Sequence, residues 1–248
     1  MFTAVATEAE FESYLQQHGL AAVASLPLIS GISYNGGLRY DDDPSAHTAT
    51  SYIRQVAART EDFEKKTQPG TLPIFTLVGI GTTTSKQAGA TTDLLLKYLT
   101  GTVGLNPDRL RATTTDHSSS FFPQLARYGI TDKQITLRPW EEAVKDGSGS
   151  GFFAPSGHPG NPRTPSFSIE YVLSDGTALE IAEITYGDGS KATAGGIGVE
   201  RVSMARNDQV TTWEASLPAF RTAVKKAAAA GGAALPAGYF AQLGEKKA

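Results

Sequence analysis

Residues 167–173 and 178–186 are two extended, apolar-rich runs, and Ser174-Asp175-Gly176 stands between them. A Ser-Asp-Gly step joining two such runs predicts a hairpin, because glycine accepts the backbone conformation of a tight reversal. A long hairpin has to bury an apolar face, and the candidate helices elsewhere in the chain can cover it. The fold class that follows is α+β: an antiparallel sheet flanked by helices. Residues 1–230 are expected to form one domain, and 231–248 a C-terminal tail.

Other segments fill in this frame. Thr7-Glu8-Ala9-Glu10 has the form of a capping box, with Phe11, Tyr14, Leu15 and His18 at helical spacing and Gly19 as the stop. Residues 21–28 read as extended, 51–58 as strand or helix, and 73–79 as a buried strand. Thr92 is expected to cap a helix over 93–102, and Ser118 or Ser119 a helix that stops at Gly129. Short strands are predicted at 110–114 and 135–137 and helices at 199–206 and 213–230. Residues 146–165 are too rich in Gly and Pro for a regular element.

Composition narrows the function classes. The chain has no cysteine, so disulfides and thiolate metal sites are excluded. Its four histidines lack metal-ligand spacing. No apolar run is long enough for a bilayer, and no signal-peptide pattern opens the chain, so the expectation is a cytoplasmic protein without a membrane partner. The net charge of -3 is a poor match to a protein that grips a polyanion over a large surface.

The run Gly195-Gly196-Ile197-Gly198-Val199-Glu200-Arg201 carries the strongest chemical signal. Glycines let a ligand approach the backbone, and a helix start offers unpaired N–H groups. An arginine in the first turn adds a planar cation that can stack on a base or hold a phosphate. Together these residues point to a nucleotide site.

The Gly-x-Gly-x-Glu-Arg form resembles motif 3 of class II aminoacyl-tRNA synthetases. The order of the other pieces is similar to the catalytic domain of alanyl-tRNA synthetase. Phe11-Glu12-Ser13-Tyr14 with Gly19 resembles that family's opening helix, and Tyr52-Ile53-Arg54 its motif 2 arginine segment. Ile74-Phe75-Thr76-Leu77-Val78-Gly79 resembles its second motif 2 strand. Phe152-Phe153 with Pro159-Gly160-Asn161-Pro162 resembles its Phe-Trp and Gly-Pro-Cys-Gly-Pro segments, and the 180–186 run resembles the strand ahead of motif 3.

The resemblance implies ATP and Mg²⁺ as cofactors and an acyl adenylate as product. It implies that Arg54 holds the α-phosphate and the substrate carboxylate, and that Arg201 stacks on adenine or meets the γ-phosphate. Both are then expected over one triphosphate. Gly196, Gly198 and Glu200 would line the nucleotide. Phe75 is a candidate to pack on adenine, but an aromatic in an apolar run is usually core, and core is the expectation favoured for it. Glu180 would bind Mg²⁺, a hard cation that favours carboxylate oxygen. Phe153 replaces the tryptophan of the amino-acid pocket, and His158 is a candidate substrate contact in the Gly/Pro loop.

Departures from the family pattern are as informative. Ala194 occupies the place of the acidic residue that holds the substrate ammonium, and Glu183 that of an asparagine in the preceding strand. Glu183 is therefore expected to take over the ammonium. In an ideal strand Glu180 and Glu183 point to opposite faces, so either they serve different sites or the strand bulges. Thr76 stands where the family has a glutamate that reads adenine.

Two readings from different classes follow. One is a ligase that activates an amino acid or related carboxylic acid and transfers it to a small amine or a carrier protein, tRNA being disfavoured by the acidic balance and by the lack of room for the family's RNA-binding domains. The other is a non-catalytic paralogue that binds nucleotide or amino acid as a regulatory subunit. A minimal alanyl-tRNA synthetase acting on a short RNA stem is a third. The oligomeric state stays open.

Overall fold

The computed structural model describes residues 1–24, 29–30, 33–34, 51–58, 62, 65, 68–81, 89–146, 152–153, 164–186, 193–211 and 221–222. Helix α1 (Ala4–Gln17) is followed by strands β1 (Ala21–Val23), β2 (Ile29–Ser30), β3 (Ser33–Tyr34), β4 (Ser51–Ala58) and β5 (Ile74–Gly81). Then come α2 (Ala90–Lys97), β6 (Leu110–Thr115), α3 (Phe122–Ala126), β7 (Ile135–Arg138), α4 (Trp140–Asp146) and β8 (Phe152–Phe153). The chain continues through β9 (Thr164–Val172), β10 (Ala178–Tyr186), β11 (Thr193–Gly198) and α5 (Val199–Asn207).

Among the described residues the main sheet has nine strands in the order β1-β4-β5-β11-β10-β9-β6-β7, with β8 pairing off β9. The β1–β4 and β6–β7 pairs are parallel and the remainder antiparallel. This is an α+β architecture. The 174–176 turn closes the β9–β10 hairpin, with Gly176 at φ 89.

Cross-strand register sorts side chains onto two faces. Tyr52, Arg54, Val56 and Ala58 of β4 pair with Ile80, Val78, Thr76 and Ile74 of β5. Val78 and Ile80 pair in turn with Ile197 and Gly195 of β11, and these with Ala182 and Ile184 of β10. The same row reaches Ile169 and Phe167 of β9. These residues face α1, α2, α3 and α5 and join Phe11, Leu15, Leu95, Leu99, Val202 and Met204 in the main core. The opposite, outer face is set by Phe75, Leu77 and Gly79 of β5, Gly196 and Gly198 of β11, and Glu183 and Thr185 of β10.

Several local expectations change. Helix α1 begins a turn before the capping box: Thr3 Oγ1 accepts from the Ala6 N–H, and Thr7 is buried inside the helix. Its end is as expected, since Gly19 takes φ 81. Thr92 is likewise a buried residue within α2, whose N-cap is Gly89 at φ 84. The 98–102 stretch continues α2 as a π turn. Ser118 is buried in a 3-10 turn over Asp116–Phe121 that leads into α3. The Gly/Pro stretch contains short pairing after all, because Phe152 and Phe153 sit opposite Pro165 and Thr164. The helix expected at 213–230 and the tail at 231–248 lie outside the described residues, apart from residues 221–222. No helix among the described residues is long and apolar enough to cross a membrane.

Helix α5 is tied down along its C-terminal half. The Phe2 carbonyl accepts from Ser203 Oγ (2.8 Å) and Asn207 Nδ2 (2.7 Å), and the Phe2 N–H donates to Asn207 Oδ1 (2.9 Å). Arg206 lies over the Phe2 ring and grips both oxygens of Glu10. Just past its last residue, Asp208 takes φ 52 and accepts from Arg109 and Ser174. Those donors hold its carboxyl down at about 2.

Helix α2 packs closest to the sheet at Gly195. A Cβ there would lie 2.7 Å from Leu95 Cδ1 and 2.9 Å from the Glu183 carbonyl oxygen. The leucine can yield, but the strand backbone cannot. Gly195→Ala is therefore expected to lower stability by about 2 kcal/mol, in the range of core overpacking, as read by urea unfolding.

Candidate functional site

The outer face of the central strands has an unusual floor. In one row across the sheet stand Gly79, Gly196, Glu183 and Ser168; Gly198 lies one step along β11 opposite Leu77. Residues 79, 196 and 198 carry no side chain on that face, so only backbone lies between Leu77 on one side and Glu183 on the other.

Both carboxylates of β10 flank this floor. Strand β10 is irregular between Glu180 and Ala182: Glu180 pairs with Glu170, while Ala182 already pairs with Ile169. One extra residue, Ile181, is accommodated on the β10 side, which is a β-bulge. Ile181 is buried in the core and Glu180 and Glu183 both face outward. The sequence alternative of a bulged strand is the one realised. Glu183 Oε1 accepts from Ser166 Oγ at 3.0 Å, which fixes the carboxylate beside Ser168. Ala194 is on the same face, in register with Thr185.

Arg201 closes the end of the floor. Its Nη1 donates to Glu180 Oε2 (3.3 Å) and to the Glu180 carbonyl (3.1 Å), and its Nε to the Gly70 carbonyl (3.2 Å). Its stem is the nearest neighbour of the outer side of Gly198, with Cβ and Cδ 3.9 Å from a Cβ built there. Glu170 stands directly across from Glu180, and burial followed by the Glu180 charge raises its carboxyl above the usual range. Sequence reading missed Glu170, although hairpin register alone gives it: equal steps out from the 174–176 turn bring 170 opposite 180.

Phe75 is in the outer row by register, but it is buried and belongs to the hydrophobic core cluster, so the core reading of this aromatic holds over an adenine contact. Glu200 is not on the outer face. It is 4% exposed and turned inward, and both of its oxygens accept from the Thr76 N–H, at 3.0 and 2.9 Å. A group so placed cannot touch a nucleotide, which corrects the expectation that Glu200 lines the cofactor. Burial pushes its carboxyl up to about 7, and the bonds from the Thr76 backbone and hydroxyl offset only part of that rise.

Arg54 is the larger correction. It lies on the helix face, and its Nε and Nη2 bind Glu8 of α1 at 2.8 and 3.3 Å. Arg201 is at the edge of the outer face, so the structure does not bring the two guanidinium groups together over one ligand. Thr76 faces the helices as well and is buried, so its side chain is not at the outer floor. The backbone of Phe153 pairs with Thr164, but its side chain lies outside the described residues, as does all of His158. Among the described residues no group of three or more His, Cys, Asp or Glu side chains is placed to hold a metal.

The carboxylates can still suit one cation in part. Two carboxylates, Glu170 and Glu180, stand opposite each other, with Arg201 paired to Glu180, and Mg²⁺ is commonly held by one or two carboxylates together with substrate phosphates.

No family model matches the chain, and no curated protein matches it. Solved structures similar to it are aminoacyl-tRNA synthetases. One is histidyl-tRNA synthetase of S. aureus, at 12% identity and TM-score 0.45, covering 82% of this chain and 65% of that one. Another is described as the RNA binding domain of threonyl-tRNA synthetase from Cryptosporidium parvum, at 12% identity and TM-score 0.49, covering 83% and 64%. A third is PylSc, a pyrrolysyl tRNA synthetase of Desulfitobacterium hafniense, at 14% identity and TM-score 0.44, covering 83% and 69%. The chain spans less than two thirds of the histidyl and threonyl structures.

Glu200 generates a pH prediction. A carboxyl whose folded pKa is raised binds protons more tightly in the folded state, so stability falls as pH climbs from the unfolded value through about 7. Relative to Glu200→Gln, the wild type is expected to lose roughly 3 kcal/mol between pH 5 and pH 8 in urea unfolding.

Proposed function

We propose that the outer face binds ATP with Mg²⁺ and activates an amino acid or related carboxylic acid as its acyl adenylate, in the manner of a class II synthetase domain related to the alanyl enzyme. The observation that carries this reading is the bulge at Ile181, which aligns Glu180 and Glu183 along one side of a glycine floor with Arg201 across its end. A flat ring can lie on glycine backbone, a guanidinium can stack on it or hold a phosphate, and a carboxylate can receive an ammonium.

In this reading Glu183, already oriented by Ser166, receives the substrate amine. Its opposite neighbour Gly196 adds no side chain on that face. Glu180 and Glu170 would hold Mg²⁺, which when bound offsets the negative charge of the phosphates. Arg201 leaves Glu180 for the nucleotide, an exchange of one anionic partner for another. Arg54 has no part in it. The next arginine in the sequence is Arg59, which follows β4 and lies outside the described residues. The acceptor is proposed to be a small amine or a carrier protein, the active unit to be residues 1–230, and the location cytoplasmic.

The test is amino-acid-dependent ATP–pyrophosphate exchange, screened over amino acids and simple carboxylic acids. Arg201→Ala is expected to lower exchange about a hundredfold, as loss of a fixed charge stabiliser does. Glu183→Ala is expected to abolish exchange with amines as substrates and spare any acid that lacks one. Arg54→Ala is expected to leave exchange unchanged and cost about 1 kcal/mol of stability through the lost Glu8 pair. ATP with Mg²⁺ at about a hundred times Kd is expected to raise Tm by roughly 5 °C. No shift and no exchange with any acid would favour the regulatory-subunit reading.

A further inference from the structure

We propose that Glu200 is a positioning residue for the nucleotide: its grip on the Thr76 N–H fixes the start of α5, and with it Arg201, against β5. The proposal rests on the ATP reading above. Strand β11 runs beside β5 only from Gly195 to Gly198, where Gly198 faces Leu77. Beyond that point the chain turns into α5, and β11 no longer supplies a carbonyl for the Thr76 N–H. An amide stranded inside a protein must find another acceptor. Glu200 provides it with both oxygens, at 3.0 and 2.9 Å.

The connection joins two particular neighbours. Thr76 follows Phe75 directly, and Glu200 precedes Arg201 directly. The bond therefore ties a core-anchored stretch of β5 to the residue beside Arg201, across the point where β11 leaves β5. Single-oxygen acceptors would satisfy the amide at a smaller desolvation cost. Here the one N–H is shared between both carboxylate oxygens in a three-centre bond, so the whole carboxylate is held against β5. The surrounding charges do not pull Glu200 elsewhere. Glu8 of α1 repels it and is itself engaged by Arg54 of β4, while Arg201 on its own helix turns to Glu180.

The experiment compares Glu200→Ala and Glu200→Gln with wild type in pyrophosphate exchange, and follows hydrogen exchange of the Thr76 amide. Loss of the acceptor is expected to raise the KM for ATP about tenfold, while the KM for the activated acid moves less than about threefold. The glutamine variant keeps an acceptor and is expected to restore the KM for ATP to within about threefold of wild type. Thr76 amide exchange should accelerate in the alanine variant only. Should that variant fail to fold, Glu200→Asp replaces it, because its shorter side chain withdraws the oxygens while keeping the charge. The same ATP-only change is expected. An unchanged KM for ATP despite accelerated Thr76 exchange overturns the positioning role. A uniform loss of activity with both substrates, unrescued by glutamine, overturns it too by marking Glu200 as structural only. Wild-type protein that neither binds ATP nor supports exchange sinks the ATP reading itself, a failure visible without any variant.

Discussion

One extra residue in β10 decides what the outer face can do. Without the bulge at Ile181, Glu180 and Glu183 would alternate, one reaching the core side and one the floor. A carboxylate driven into the apolar helix layer would be severely destabilising. The bulge instead places an isoleucine there, buried among core side chains, and sends both acids outward. The cost is a face crowded with like charge. Glu170, Glu180 and Glu183 share it, and like charges directly opposite across a strand pair repel. Arg201 relieves part of that repulsion from the end of the floor.

Helix α5 turns a local chemical arrangement into a fixed one. Buried carboxylates and guanidinium groups seldom add net stability, but removing one partner leaves a stranded charge. Arg206, 7% exposed, bound to Glu10 and set over Phe2, has that character. Burial raises the Tyr98 hydroxyl strongly, and it donates to Glu10 in the same cluster. Asp208 anchors the same end to the β9–β10 turn through Ser174. The helix bearing Arg201 is thus held from the N-terminal residues, from α1 and from the hairpin, which leaves its register against β5 little freedom.

Much of this frame was legible in the sequence, for identifiable reasons. The β9–β10 hairpin announces itself through Ser174-Asp175-Gly176, and its symmetry gives the register that opposes Glu170 and Glu180. The glycine run fixes both the end of β11 and the start of α5, because it couples a strand end without outward side chains to a helix with an arginine in its first turn. The facing of β4 and β5 was not legible. Residues 51–58 are buried on both sides for nearly their whole length, so no alternation of polar and apolar residues tells which face Arg54 or Thr76 takes. Similarity of short motifs then assigned Arg54 to the ligand side. Glu8, the partner that holds it on the other side, is a helix residue with no local signal to mark the pairing. The helix caps moved for a related reason: Thr7 and Thr92 have the chemistry of caps, but the tertiary core takes them inside.

A floor made of backbone treats every planar ring alike. Gly79, Gly196 and Gly198 project nothing that could distinguish one heterocycle from another, so discrimination falls to groups standing around the edge. Descendants of such a chain could therefore change what they recognise by altering wall residues alone, while strand pairing and the helix beneath stay as they are. Chemical versatility would come from the part of the sheet that has the fewest atoms.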